Sequence, residues 1–276
     1  MTGLNRLVAR QMEWFGYLGI GAVAGVLAGL LGVGGGLVIV PVLLWLFTAR
    51  GFDSSIVLHL AIGTSLATII ATSISSVRAH HRRGAVRWPL FLRLAPGIVV
   101  GALFGAWVAD RIATAWLQRV FAAFVIAVGI QMLANPRVTG HRNPPDTPGL
   151  SGAGSVIGAM SALVGIGGGT LTGPFLMWHR VPAVNAVATS SACGLPIAIA
   201  GTLGFVVMGW ADPALPPGAT GYLYWPAAAG IVAASVFTAP AGAWLAHRLP
   251  VPALKRAFAA LLLLVGSRLL WSAAQL

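Results

Sequence analysis

Charged residues are scarce in this sequence. Only 8% of the residues are Asp, Glu, Lys or Arg, whereas soluble domains carry about 25%. The hydrophobic share is 58% and the mean hydropathy is +0.88, which excludes an ordinary water-soluble domain. The apolar runs do not alternate with polar residues, as LLLLVGSRLL at 261–270 illustrates, so membrane β-strands are excluded as well. We therefore expect an all-α, multi-pass integral membrane protein.

Acidic residues are the scarcest charged class. The sequence has five of them, all near the ends of apolar segments: Glu13, Asp53, Asp110, Asp146 and Asp212. A proton relay built on membrane-buried carboxylates therefore has no candidate residue. The net charge of +12 could suggest nucleic acid. We expect no such partner, because the basic residues occupy short loops between apolar segments, where they set orientation.

Nucleophile and metal motifs are missing too. The single cysteine, Cys193, excludes an intrachain disulfide, and neither HExxH nor GxSxG occurs. His80 and His81 are adjacent rather than at the spacing of metal ligands. We expect neither enzymatic activity nor a cofactor or metal.

What the sequence does contain is an internal duplication. The run LLGVGGGLVIVP at 30–41 returns 133 positions later as LVGIGGGTLTGP at 163–174. Three further pairs follow in the same order: AIGTSLA with AVATSSA, GAWVADRI with GAWLAHRL, and LQRVFAAFVIAVG with LKRAFAALLLLVG. This similarity predicts two homologous halves, 1–134 and 150–276. The Pro-rich stretch 135–149 is their linker.

Each half contains four apolar segments. In the first half they cover 15–47, 56–77, 90–109 and 116–133, and in the second half 150–178, 183–208, 222–246 and 254–271. The first segment of each half carries the glycine cluster. At about 33 residues, the segment 15–47 is too long for one crossing and short for two.

Loop charge indicates how the halves are oriented. The loop 78–93 carries five arginines, besides His80 and His81, so it should be cytoplasmic. Its counterpart, 209–221, has Asp212 and no basic residue, so it should lie outside. Equivalent loops on opposite sides require an inverted repeat, which a re-entrant, glycine-broken first segment in each half would produce. Arg6, Arg10 and Arg50 then fall outside, which counts against the inversion, and plain eight-span topology stays open.

The glycine clusters are the leading candidates for a binding site. Glycine costs about 1 kcal/mol against alanine in a helix, so each cluster should break its helix and free backbone groups that need partners. Glycine N–H groups and the following helix N-terminus, near Leu37 or Thr170, can bind an anion. The alternative is close helix packing, which fits Gly21, Gly25 and Gly29, and also Gly154 and Gly158. We predict that the site includes Gly34, Gly35, Gly36, Gly167, Gly168 and Gly169.

Hydroxyl groups accompany the glycines. Thr64, Thr68, Thr72 and Ser76 share one helix face, and Thr189, Ser190 and Ser191 occupy the matching region. Hydroxyls in membrane helices often bond their own backbone, and this accounts for some of them. The predicted substrate-binding residues are Thr64, Ser65, Thr189 and Ser190, with the amide of Asn185. His59 is a candidate for proton coupling or an interfacial residue. A site of amides and hydroxyls suits an anion.

The sequence resembles the sulfite exporter TauE/SafE family of membrane transporters. The matching stretches are GLLGVGGGLVIVPVLL, AIGTSLA, HHRRGAVRW, GIGGGTLTGPFLMW and AVATSSA, spread from about Gly16 to Leu270. The resemblance implies a bacterial inner-membrane protein with seven or eight predicted segments. It also implies a secondary transporter of a small anion, such as sulfite, an organosulfonate or a related sulfur or carboxylate compound, with export as the expected direction. The bilayer and that anion are the expected partners. An anion channel, a non-transporting scaffold and homo-oligomerisation stay open.

Overall fold

Apolar helices build the protein. The computed structural model describes residues 16–26, 35–134, 144–246 and 251–273. In chain order the helices are α1 (Gly16–Val26), α2 (Gly36–Ala49), α3 (Val57–Arg82), α4 (Trp88–Arg111), α5 (Thr114–Ala134), α6 (Thr147–Val164), α7 (Thr172–Trp178), α8 (Ala183–Met208), α9 (Trp225–Ala246) and α10 (Val251–Ala273). A two-stranded antiparallel hairpin, β1 (Ala219–Thr220) and β2 (Leu223–Tyr224), precedes α9. The all-α prediction is confirmed.

Five helices in the described residues are long and apolar enough to cross a bilayer: α3, α4, α5, α8 and the part of α10 at Arg256–Ala273. Burial separates them into central and peripheral helices. In the 18-residue apolar stretch of each helix, 72% of α3 and 56% of α8 is buried inside the protein, against 39% of α4 and α5 and 28% of α10. The core is therefore the contact between α3 and α8, one helix from each half. The peripheral helices expose large apolar side chains such as Trp271 and Leu92, as lipid-facing surfaces do.

Glycines bring two helix pairs into backbone contact. In α4, Gly105 faces Ala159 of α6, where an added Cβ atom would lie 2.5 Å from the carbonyl oxygen. Gly154 and Gly158 of α6 face the backbone of α4 in return. Gly21 and Gly25 of α1 face α9 in the same way. The predicted packing role of these glycines is confirmed, and Gly29 lies outside the described residues. In both pairs, a helix of one half packs on a helix of the other.

Both glycine clusters break the helix, as predicted. The helix α2 begins at Gly36 after Gly35, whose φ is 72°. The helix α6 ends at Val164, before Gly165 at φ 70°, and α7 begins only at Thr172. At 1.5 Å per residue, α2 is about 21 Å long and α7 about 10 Å. Neither reaches across the roughly 30 Å hydrocarbon core alone.

The predicted loop at 78–93 is shorter than the charge pattern indicated. His80, His81 and Arg82 form the last turn of α3, and α4 begins at Trp88. The connecting loop is therefore 83–87, and assigning the two histidines to a loop was wrong. Cationic side chains extend the helix beyond its apolar segment because they interact favourably with its C-terminal carbonyl groups. The indole N–H of Trp88 also bonds His81 Nδ1 at 3.2 Å, which holds the two helix ends together.

The described acidic residues lie at the ends of elements, as predicted. Asp110 is in the last turn of α4, and Asp53 and Asp212 lie in loops. The side chain of Asp146 caps α6 by accepting the Gly149 N–H at 3.1 Å. Glu13 lies outside the described residues. The centres of the long described helices therefore contain no carboxylate.

Candidate functional site at the two helix breaks

The two helix breaks touch each other. A Cβ atom added to Gly36 would lie 2.5 Å from the carbonyl oxygen of Gly165 and 3.0 Å from Cα of Ile166. A Cβ atom on Gly165 would lie 2.9 Å from the side chain of Val40. Gly35, Gly36 and Gly165 are all buried. The structure thus brings the last glycine of the first cluster against the first glycine of the second inside the protein, while Gly34 lies outside the described residues.

The rest of the second cluster packs against α8. A Cβ atom on Gly168 would collide with the carbonyl oxygen of Ser190 and lie 2.8 Å from the N atom of Gly194. Gly167 is buried beside the side chain of Ile69, and Gly169 is partly exposed. The second break is therefore enclosed by α3 on one side and α8 on the other.

The hydroxyl of Ser65 serves the break directly. It donates a 2.9 Å hydrogen bond to the carbonyl oxygen of Gly165, the residue that follows the last turn of α6. The carbonyl groups at the C-terminus of a helix receive no N–H bond from the helix itself, so they need a donor from elsewhere. Ser65 comes from the other half, so it joins the halves where the two breaks meet.

Thr64 and Thr189 occupy equivalent positions and make equivalent bonds. Oγ1 of Thr64 accepts the backbone N–H of Tyr224 at 3.0 Å, just before α9. Oγ1 of Thr189 accepts the backbone N–H of Arg87 at 3.0 Å, just before α4. Each bond crosses from one half to the other, and each threonine is fully buried. A hydroxyl that accepts a hydrogen bond keeps its own O–H for donation.

The other predicted polar residues do not bond to the helix breaks: their hydrogen bonds go to their own helices or to the loop 83–87. Ser190 donates to Val187 O at 2.9 Å and Thr68 to Ser65 O at 2.7 Å, which are back-bonds within their own helices. The amide of Asn185 donates to the carbonyl of Ala85 at 2.8 Å. Asn185 therefore contacts the loop at 83–87.

His59 belongs to a separate polar cluster. It is 4% exposed, and its Nε2 lies 2.9 Å from the Ala109 carbonyl oxygen. Its Nδ1 has no hydrogen-bond partner among the described residues. The ring lies 5.2 Å from the ring of Tyr222, whose hydroxyl lies 3.2 Å from an oxygen of Asp110 and 3.1 Å from one of Asp212. Burial raises the pKa of the Tyr222 phenol, and its hydrogen bond with Asp212 raises it further.

Three hydroxyls beside the second break were missed by sequence reasoning. Ser161, Thr170 and Thr172 are buried, and none of their Oγ atoms has a partner among the described residues. The signal was present in the repeat: Thr170 and Thr172 stand where the first half has Leu37 and Ile39. Buried hydroxyls without partners are unusual and call for an explanation. They make the second break a hydroxyl-rich environment that can donate to a ligand.

These features define a multi-pass helical membrane protein of the transporter class, with interlocked halves and broken helices in contact. The chain belongs to the sulfite exporter TauE/SafE family, whose profile matches residues 17–269. It is 37% identical over 248 residues to a "Probable membrane transporter protein" of Haemophilus influenzae, covering 90% of this chain and 94% of that one. It is 26% identical to the "Probable membrane transporter protein YunE" of Bacillus subtilis, covering 91% and 95%. No solved structure matches this chain.

Proposed function

We propose that this protein is a secondary carrier that exports a small anion across the bacterial cytoplasmic membrane. Sulfite, an organosulfonate or a related sulfur or carboxylate compound would be the substrate. The substrate would bind where the two helix breaks meet. The contact of Gly36 with the Gly165 carbonyl group carries this proposal, because two short broken helices that meet between duplicated halves are the usual construction of a carrier site.

The chemistry of the break favours an anion. The N-cap of α2, Gly35, has no side chain, so it cannot cap the first N–H groups of this 14-residue helix with a side-chain hydrogen bond. The N-terminus of α2, which is the positive end of its helix dipole, also lies at the glycine cluster and favours a negative charge there. Ser161, Thr170 and Thr172 add hydroxyl donors without adding fixed charge. The described acidic residues lie at element ends, so none of these carboxylates competes for the donors.

The proposal includes an inverted repeat with re-entrant first segments. Thr64 is equivalent to Thr189 in the repeat, and Tyr224 is equivalent to Arg87. The Thr64–Tyr224 bond therefore has an exact counterpart in the Thr189–Arg87 bond, as a two-fold axis relating the halves would produce. The loops that the charge rule assigns to opposite sides, 83–87 and 209–221, are equivalent under the same exchange. The lengths of α2 and α7 support re-entrance, because neither helix is long enough to cross.

Flux in proteoliposomes tests the proposal. Purified protein should take up at least one labelled anion from a panel of sulfite, thiosulfate, sulfonates and carboxylates. Uptake should saturate and should be accelerated by unlabelled anion on the opposite side, since a carrier alternates its access. Flux that grows linearly with concentration would instead indicate a channel. A folded, inserted protein that moves no anion of the panel would contradict the transport proposal.

A further inference from the structure

A cleft lies between the start of α4 and the end of α7, outside the helix breaks. Its volume is about 400 Å³. The lining combines two arginines and a histidine with apolar residues: Arg87, Pro89, Leu90, Pro144, His179, Arg180, Val181 and Pro182. We infer that this cleft is a recruitment site for an organic anion on its way to the helix breaks. The inference rests on the proposed anion transport.

The charge of the cleft points to an anion. Arg87 comes from the first half and Arg180 from the second, so two cations from distant parts of the chain line the same space. Among the described residues, no acidic side chain lines it. Asp146, two residues from the lining Pro144, accepts the Gly149 N–H as the cap of α6. Guanidinium groups are suited to carboxylate, sulfonate and phosphate oxygens because their planar N–H donors match the spacing of these oxygens.

The backbone of Arg180 is unusual. Its φ is 60°, and it is the non-glycine residue with positive φ in the described part of the chain. A side chain with a Cβ atom rarely adopts this conformation. Here it closes the end of α7, because the N–H groups of Arg180 and Val181 bond the carbonyl oxygens of Met177 and Leu176. His179, beside it, is held by a 2.8 Å contact between Nδ1 and the Phe175 carbonyl oxygen. The turn that places Arg180 in the cleft is therefore fixed at a backbone cost.

The two halves have different side chains at this place in the repeat. The stretch from Trp88 to Trp107 aligns without gaps with the stretch from Trp225 to Trp244. Arg87, which precedes the first, is therefore equivalent to Tyr224, which precedes the second. The stretch from Pro41 to Phe47 likewise makes Phe47 equivalent to Arg180. Phe47 and Tyr224 pack edge to face, with ring centroids 5.5 Å apart. At this place in the repeat, one half thus packs two aromatic rings together with Arg50 over the Tyr224 ring, and in the other half two arginines line a cleft.

The cleft lies close to the proposed site, and buried protein contacts connect the two. The backbone N–H of Arg87 bonds Thr189 Oγ1 at 3.0 Å. The next residue, Ser190, presents its carbonyl oxygen to Gly168 in the second break. The seven-residue α7 also leads from that break to His179, a distance of about 10 Å. An anion held in the cleft would therefore lie one short helix away from the glycines.

The apolar lining selects the class of anion. Pro89, Leu90, Val181 and Pro182 can contact a hydrocarbon group while the arginines bind the charged head. An organosulfonate or organic carboxylate satisfies both parts, whereas sulfite satisfies only the charged part. The charge rule places this end of the protein in the cytoplasm, which is the entry side for an exporter.

The experiment uses Arg87→Gln and Arg180→Gln in the full-length protein, with Arg78→Gln as the matched control. Arg78 is exposed and does not line the cleft. The probes are a short-chain alkanesulfonate and sulfite, measured by the concentration that gives half-maximal thermal stabilisation. The cleft variants should need about tenfold more alkanesulfonate for half-maximal stabilisation. Added salt should weaken their binding less than it weakens binding to the parent protein. Arg78→Gln should match the parent, and sulfite should change less than the alkanesulfonate.

Two further variants separate this inference from the transport proposal. Gly36→Ala should lose transport but keep the alkanesulfonate stabilisation, because the cleft lies outside the break. Arg180→Gly removes the guanidinium and relaxes the backbone, so loss of binding in a protein at least as stable as the parent excludes misfolding. A parent that transports while both Gln variants behave as Arg78→Gln does would overturn the cleft inference alone. Stabilisation by phosphatidylglycerol that alkanesulfonate does not reverse would make the cleft a lipid site and also overturn it.

Discussion

Thr64 Oγ1 accepts the backbone N–H of Tyr224 at 3.0 Å, across the boundary between the two halves. Thr64 lies in the buried helix α3, and Tyr224 is the last residue before α9. The residues that follow are Trp225 and Pro226, and proline has no N–H to donate. The Thr64 hydroxyl therefore ties the start of α9 to the centre of the protein. Its equivalent, from Arg87 to Thr189, ties α4 in the same way.

Replacing Thr64 with valine should destabilise the protein. Valine keeps the shape but removes the acceptor, and a buried N–H left without a partner costs about 1–3 kcal/mol. The free energy of unfolding, followed by thermal or denaturant unfolding in detergent, should fall by this amount. Thr189→Val should behave in the same way because it removes the equivalent bond.

Two controls accompany this measurement. Thr64→Ser retains the hydroxyl and should stay close to the parent. Thr48→Val loses only a 2.8 Å back-bond to Leu44 on an exposed part of α2 and should change stability by less than about 0.5 kcal/mol. Equal stability of Thr64→Val and Thr48→Val would show that the cross-half bond contributes nothing.

Gly36→Ala should abolish transport while the protein still inserts and accumulates. The added methyl group would lie 2.5 Å from the Gly165 carbonyl oxygen, so the two breaks would have to separate. Gly152→Ala is the matched control, because it also lies within a helix but has no atom within 4 Å of the added Cβ. Alanine favours the helix there by about 1 kcal/mol, so this variant should transport normally. Initial uptake rates per folded protein make the comparison.

The bulkier changes Gly35→Val and Gly168→Val extend the same test. Gly35 has a φ of 72°, which valine adopts only with strain, and Gly168 faces the Ser190 carbonyl group. Both variants should accumulate without transporting. If both retain normal flux, the helix breaks do not form the substrate site.

Patterns with a simple period were readable from the sequence. The apolar segments became α3, α4, α5, α8, α9 and α10 within a few residues, because hydrophobic length determines a membrane helix. The glycine repeats correctly predicted two breaks, since glycine disfavours a helix wherever it stands. Gly154 and Gly158 were correctly assigned to packing because their four-residue spacing places them on one helix face.

Contacts between distant elements could not be read in this way. The hydrogen bonds of Thr64 with Tyr224 and of Thr189 with Arg87 join residues from different halves of the chain. No local sequence pattern encodes such contacts. The back-bonds of Thr68 and Thr72 show that part of the hydroxyl stripe serves its own helix. The unpartnered Thr170 and Thr172 were visible only as differences between the repeats. Helix α3 also extended past its apolar segment, because long cationic side chains tolerate the membrane surface.

Tyr222 should ionise later than an ordinary tyrosine. Burial, together with its hydrogen bond to Asp212, raises its pKa above 10.0, because the neutral phenol is the form that these surroundings favour. Its stabilising contribution is thus fully present below about pH 10 and disappears as the pH rises through the higher folded value. Absorbance near 295 nm should show a phenolate component that titrates late in the folded protein and near pH 10 in denaturant. Tyr222→Phe should lack that component, and an unchanged titration would contradict the assignment.

Cysteine labelling can decide whether the halves are inverted. Arg83 lies in the loop between α3 and α4, and Pro217 lies in the equivalent loop between α8 and α9; both side chains are exposed. The native Cys193 is fully buried and should not react. In an inverted repeat, an impermeant maleimide should label Pro217→Cys in intact cells and Arg83→Cys only in inverted membrane vesicles.

The parallel alternative gives a different pattern. Equivalent loops of two four-crossing halves lie on the same side, so both cysteines would react in the same preparation. Labelling of both only in inverted vesicles would establish plain eight-span topology, and the helix breaks would then lie within crossing segments. The inverted result would instead place the arginine-lined cleft in the cytoplasm and the Phe47–Tyr224 contact outside. A carrier needs that difference between its ends, since one end must be closed while the other admits the anion.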